Sequence, residues 1–310
     1  MKNILIVVSL IILACPVGEK ISLKIDLKPG DRHGIIMTTE QKISQEVQGK
    51  KMDIDQIIKI GYLFDVTGVD SAGNLKVAIT YKRIGYRISS QLFGSFEYDS
   101  ERESGEVPPQ AVGYAALVGK KFTMVMTPSG KVKRVLGLEE MFDKIGNDLK
   151  LPPGTEEARG RIIQGIRHQF GGDAMKELLG RTFDIFPDDS VSVGQSWEKR
   201  MSLKMFFPVI ITSRYTLKSA TDSLIHLLVL TEVKPNPAAG PLNIGEAILR
   251  YELTGTMEGE IFLDRRSCMT RSGRLNQVLT GKMMVTPLGP GSKTTEVPID
   301  VQSKITFEPL

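Results

Sequence analysis

At 310 residues, 41% hydrophobic and 25% charged, the chain has the composition of a folded globular protein and is too apolar for intrinsic disorder. Its formal net charge of +4 is mild, and no Lys/Arg run is long enough for a nucleic-acid footprint, so nucleic acid is not an expected partner. Two cysteines in a chain of this length exclude a disulfide framework and leave the fold to rest on its hydrophobic core.

The chain opens with Lys2 as a positive n-region and Ile4 to Leu13 as an apolar h-region. About ten apolar residues cannot cross a hydrocarbon core of roughly 30 Å, so residues 1–14 read as a signal peptide, not a transmembrane helix. The segment closes on Ile12-Leu13-Ala14-Cys15, which resembles the bacterial lipobox, although Leu13 is larger than the residue usual there. The resemblance implies that Cys15 is diacylated and becomes the mature N-terminus, tethering residues 15–310 to a membrane of the cell envelope. Pro16 follows the cysteine and no acidic retention residue does, which favours the outer membrane. The competing reading is ordinary cleavage near Ala14 with Cys15 an incidental thiol.

The mature sequence is dominated by period-2 alternation. Ile21, Leu23, Ile25 and Leu27 alternate with Ser22, Lys24, Asp26 and Lys28, which predicts an antiparallel strand with one wet face. Ile60, Tyr62, Phe64 and Val66 predict a strand leading to the turn Asp70 to Asn74, with Leu75, Val77, Ile79 and Tyr81 returning. Phe122, Met124 and Met126 lead to Thr127-Pro128-Ser129-Gly130, and Val132 to Val135 complete a second hairpin. Helical spacing then takes over. Leu138, Met141, Phe142, Ile145 and Leu149 follow i, i+3, i+4, i+7, i+11 up to Pro152-Pro153, and Thr155 caps a second helix carrying Ile162, Ile163, Ile166 and Phe170. Gly171-Gly172 ends it, and Asp173 to Leu179 form a short third helix. Strands resume near residue 191 and are clearest in Tyr251 to Leu263, Leu275 to Val285 and Val297 to Phe307. Long strands with one polar face belong to an antiparallel sheet, and ten or eleven of them in one sheet must curl. Gly255, Gly259 and Gly281 inside those strands mark bends or close approach. The expected fold is α+β: one β-rich domain, residues 15–310, with a large curved, half-barrel-like antiparallel sheet and a central helical block at about 138–183 packed on one face. Glu101 to Pro109 and Pro235 to Pro241 read as loops.

Residues able to carry chemistry are sparse. His33 sits in an expected turn, His168 on the second helix beside Arg167, and His226 in the apolar run Leu224 to Leu230; none has metal-ligand spacing. Cys268 has arginines near it in sequence but no histidine, and reads as a free thiol at a hairpin end. Gly194-Gln195-Ser196-Trp197 lacks the second glycine of a nucleophile elbow, and Asp188-Asp189 falls short of the six to eight oxygens of a calcium site. No catalytic residue, metal or cofactor is therefore expected, and a hydrolase built on a carboxylate pair is the least favoured reading.

Thirteen methionines are the unusual count. Met124, Met126, Met257 and Met283 fall on predicted inward strand faces. Such side chains either pack sheet against helices or adapt to an apolar ligand. If there is a ligand, it meets Met124, Met126, Leu138, Phe142, Ile166, Phe170, Met257 and Met283.

Val191-Ser192-Val193-Gly194-Gln195-Ser196-Trp197 resembles the V-x-V-G-x-S-W phrase of an uncharacterised family of bacterial lipoproteins. The hairpin through Thr127-Pro128-Ser129-Gly130-Lys131-Val132 and the strand Gly259 to Asp264 fit the same pattern, with Arg265-Arg266-Ser267-Cys268 replacing the usual glycine after the aspartate. That resemblance implies no activity. The overall plan is similar to the lipoprotein-carrier half-barrels of the periplasm, which implies helices lidding an apolar concavity. Two functions follow as expectations: a non-enzymatic, membrane-anchored envelope scaffold or interaction protein, or a half-barrel carrier of a lipid or other apolar ligand.

Overall fold

The computed structural model describes residues 19–47, 49–91, 94–102, 107–108, 111–149, 156–203, 208–244, 247–289 and 291–310. The signal segment and Cys15 lie outside the described residues, as do the side chains of His168 and Phe170.

The N-terminal part runs β1 (Arg32–Val47), β2 (Lys50–Val69), β3 (Leu75–Ser90), β4 (Gly94–Asp99), a one-turn helix α1 (Val112–Ala115), β5 (Lys121–Met126) and β6 (Val132–Leu136). Three helices follow: α2 (Leu138–Asp148), α3 (Glu156–Phe170) and α4 (Gly172–Phe183). The rest is β7 (Ser196–Ser202), β8 (Val209–Ala220), β9 (Leu224–Pro235), β10 (Leu242–Ile244), β11 (Ala247–Asp264), β12 (Thr270–Pro287) and β13 (Thr295–Pro309). All strands join one 13-stranded sheet ordered β6-β5-β3-β2-β1-β13-β12-β11-β9-β8-β7, with β4 beside β3 and β10 beside β11. Every named ladder is antiparallel. The α+β antiparallel plan with a helical block between two strand-rich halves is thus the one the alternation predicts.

Strands of the sheet approach unusually closely at two of the glycines. A Cβ on Gly255 would sit 2.0 Å from the Val278 carbonyl oxygen, and one on Gly281 would sit 1.9 Å from that of Glu252. No other residue fits either position. The open seam between β6 and β7 is filled by helix: α4 packs on β6, and its Gly180 lies against the Met201 side chain of β7. Trp197 at the start of β7 fixes the segment after α4, its Nε1–H donating to the Ile185 carbonyl at 2.7 Å.

Several sequence expectations need correction. Ile21 to Leu27 is extended but is not a strand of the sheet; it makes one bridge, Ile21 to Val191. Further on, Ile25 N–H donates to the Pro128 carbonyl and Asp26 N–H to that of Ser267. Partners on three separate segments show the chain crossing strand ends instead of extending an edge. Its alternation is nonetheless real, because Ile21, Leu23 and Ile25 are buried in the core. His33 lies on β1, not in a turn, and its Nε2–H donates to the Thr270 carbonyl at 2.8 Å. The sheet has 13 strands, more than the ten or eleven expected.

Candidate functional site

The inward face of the sheet is organised in rows across the strands, and their chemistry changes sharply from row to row. One row runs Gln56, Gln41, Ser303, Gln277, Met257, Thr231, Ser213, Lys199 in strict cross-strand register from β2 to β7. All but one of these residues are polar. Their side chains bond along the row: Gln56 to Gln41, Gln41 to Ser303 at 3.1 Å, and Ser213 to Thr231 at 2.9 Å. Thr231 is 1% exposed and Ser213 7%, so their hydroxyls are satisfied within the protein, Ser213 also bonding the Tyr215 side chain.

On one side of that row lies the main core, where α2, α3 and α4 pack on the sheet. On the other side lies a second apolar cluster of Leu203, Val209, Ile211, Val233, Leu253, Leu279, Ile299 and Val301, which draws β8 and β9 toward β13. The polar row thus divides two dry compartments.

Met124, Met126, Leu138, Phe142 and Ile166 meet in the main core, each no more than 5% exposed. Half-buried Met257 packs against that core from the polar row. Met283 is not with them; it pairs with Tyr251 and Val297 toward the other end of the strands. Between the sheet and α4 there is a small apolar cavity of about 40 Å³, lined among others by His33, Met37, Tyr62, Leu178, Thr182 and Phe307. That volume suits a water molecule, which needs on the order of 10–15 Å³, and is far below the roughly 300 Å³ of a small-ligand pocket. Tyr62 places a buried hydroxyl there with no hydrogen-bond partner, and burial pushes its pKa well above the ordinary tyrosine value. Burial likewise lowers the His33 imidazole below the ordinary histidine range, against the Thr270 carbonyl and the Asp264 charge, which raise it.

A larger opening lies elsewhere. A groove of about 830 Å³ crosses β4, β3, β2, β1, β13 and β12. Its lining is three adjacent rows: the polar row at Gln56, Gln41, Ser303 and Gln277, continued by Ile88 and Phe96, and on either side of it Glu97, Arg87, Ile57, Glu40, Lys304, Asn276 and Ser95, Ser89, Asp55, Lys42, Gln302, Val278. Lys304 pairs with Glu40 at 3.3 Å across its floor. The two flanking rows read as ordinary wet strand positions, so only the register reveals that they line one groove with the polar row.

Among the described residues no group of His, Cys, Asp and Glu could hold a metal ion, and Asp188 contacts Lys199 at 3.8 Å. Cys268 is buried at the β11–β12 tip, and burial raises its thiol pKa. No described helix is long and apolar enough to cross a membrane.

A large open antiparallel sheet whose end strands β6 and β7 both meet α4, with a filled sheet–helix interface and an open groove across β4 to β12, defines a half-barrel-like α+β protein. Residues 72–270 match the family described as "Family of unknown function (DUF6263)", and the chain belongs to that family. No curated protein matches it. Among solved structures it is similar to an outer membrane channel from Pseudomonas putida F1, at 9% identity over 91% of this chain and 97% of that one, TM-score 0.23. It is also similar to OccK5 (OpdH) of Pseudomonas aeruginosa, at 8% identity over 92% and 99%, TM-score 0.22. At scores this low these likenesses carry no inference about the chain.

Proposed function

We propose that this is a non-enzymatic envelope lipoprotein, anchored through acyl chains on Cys15 and acting as a scaffold or interaction protein through its outer surface. The observation that carries the choice of scaffold over carrier is the filled sheet–helix interface. A carrier of apolar cargo needs a concavity of several hundred Å³, and the cavity beneath α4 holds about 40 Å³. The open groove across β4 to β12 is the surface offered to a partner. The anchor follows from Ile12-Leu13-Ala14-Cys15, two acyl chains giving stable attachment where one is marginal. Pro16 after the cysteine supports the outer membrane.

Cys15→Ser tests the anchor: the protein should leave the membrane fraction and lose labelled-palmitate incorporation, and persistence of either refutes it. Native mass spectrometry of detergent-free protein tests the filled interior, the expected mass being that of the polypeptide alone. A co-purifying lipid would instead support the carrier reading, which the unpartnered Tyr62 hydroxyl favours and which requires α4 to move off β1 and β13. Hydrolytic turnover abolished by one carboxylate substitution, with the fold intact, would overturn the non-enzymatic assignment.

A further inference from the structure

The strands place two very different sets of turns at their two ends. At one end lie the β2–β3 turn (residues 70–74), the β5–β6 turn (127–131), the β8–β9 turn (221–223) and the β11–β12 tip (265–269). At the other lie the β1–β2 turn and the β12–β13 connection. The N-terminal stretch is stitched to the first end only, through Ile21 to Val191, Ile25 to Pro128 and Asp26 to Ser267. Six residue steps separate Cys15 from Ile21, a reach of at most about 20 Å at roughly 3.3–3.6 Å per residue. The 20 residues of β2 span about 65 Å at roughly 3.3 Å each. An acylated Cys15 therefore holds the first end near the bilayer and cannot itself bring the second there.

The chemistry of that end agrees. A recess of about 520 Å³ opens beside the tether, and its charged lining is Lys24, Arg265 and Arg266 against Asp26. Among the described residues none of these three cations is in an ion pair. The neighbouring carboxylates are engaged within their own turns. Asp70 accepts from the N–H groups of Ala72 and Asn74, Asp264 from those of Arg266 and Ser267, and Asp31 from that of Lys28.

We infer that this end of the sheet is the membrane-facing surface, with the Lys24–Arg265–Arg266 recess seated on the phosphates of phospholipid headgroups. The inference rests on acylation of Cys15. With this end down, the tether is satisfied without unpicking Ile21 to Asp26, and the groove across β4 to β12 stays open to the aqueous compartment.

The test uses full-length acylated protein in phosphatidylglycerol–phosphatidylcholine vesicles carrying a headgroup-linked quencher. A fluorophore on Ser71→Cys should be quenched severalfold more than one on Lys293→Cys, both being exposed turn positions at opposite ends. Equal or reversed quenching overturns the orientation. Intact mass keeps the two readings apart: an unacylated mature chain takes down the anchor, whereas an acylated chain quenched at Lys293→Cys takes down this inference alone. In the Cys15→Ser chain, sedimentation with phosphatidylglycerol vesicles should exceed that with phosphatidylcholine vesicles. Arg265→Glu with Arg266→Glu should abolish that difference. Equal sedimentation of the parent chain with both vesicles overturns the seating of the recess.

Discussion

Phe142→Ala separates a filled half-barrel from a lidded hollow one. Phe142 sits on the inner face of α2 with 0% exposure, among Met124, Ile145 and Met175, which are each at most 1% exposed. Arg167 of α3 lies over the ring, 6.0 Å from its centroid, so the ring also ties α2 to α3. Removing a fully packed phenyl group loses its transfer free energy and leaves a void that the neighbours fill only in part, a cost of about 3–5 kcal/mol. For a chain of this size each kcal/mol lowers Tm by about 2 °C, so the midpoint should fall by about 6–10 °C. Urea unfolding followed by Trp197 fluorescence and far-ultraviolet circular dichroism measures the change. Leu230→Ala, at a side chain 52% exposed on the outer face of β9, serves as the control and should stay within about 0.5 kcal/mol. A Phe142→Ala loss below about 1 kcal/mol would refute the filled interior, because a ring facing a hollow has few contacts to lose.

Gly130→Ala should cost more than about 2 kcal/mol, because Gly130 has φ +85° and an added Cβ would lie 1.9 Å from the Phe183 carbonyl oxygen; a stability change within about 0.5 kcal/mol defeats that geometry. Thr231→Val removes the buried Ser213–Thr231 hydrogen bond while Ser213 keeps the Tyr215 side chain, and should destabilise by about 1 kcal/mol, with a wild-type urea midpoint as the contrary result. Burial holds the His33 pKa below that of the unfolded chain, so the unfolded state takes up the proton first as pH falls. Stability carried by neutral His33 is therefore present above about pH 6.5 and lost as pH drops through the window below it, and His33→Gln should flatten that slope in urea midpoints measured from about pH 7 to 5. The buried, raised-pKa thiol of Cys268 should resist Ellman's reagent until the protein is unfolded, and rapid labelling of native protein would contradict its placement.

The helical block was legible because Leu138, Met141, Phe142 and Ile145 repeat at the helical period between strand-rich flanks, and all four are buried. The β11–β12 hairpin was legible for the same kind of reason, Leu253, Ile261 and Leu263 alternating with exposed or half-exposed residues. β1 was not. Its middle reads Thr38-Thr39-Glu40-Gln41-Lys42, polar on both faces, because Gln41 points inward to the polar row. That row did leave a signal. Thr231 lies between Val229 and Val233, Gln277 between Leu275 and Leu279, and Ser303 between Val301 and Ile305, each a polar residue at an inward position. Alternation within one strand cannot show that these breaks line up, because register is a property of pairs. Ile21 to Leu27 misled for the complementary reason: its alternation reflects burial on one side, which a segment crossing the strand ends also requires.

The first and last strands of the sheet are neighbours. Ile35 to Gln45 of β1 pair with Ile299 to Pro309 of β13, contacts that join residues some 250 positions apart. The centre of the sheet is therefore completed only once β13 has followed the other twelve strands. Until β13 has been made and brought across to β1, the chain holds two half-sheets, β6 to β1 and β12 to β7, each ending in an unpaired inner edge. Closing so long a loop makes this pairing intrinsically slow, and edges of that length pair with other chains when left open. Loss of even the last strand would make those edges permanent, so a chain cut short before Thr295 would be a template for aggregation and not merely a less stable protein.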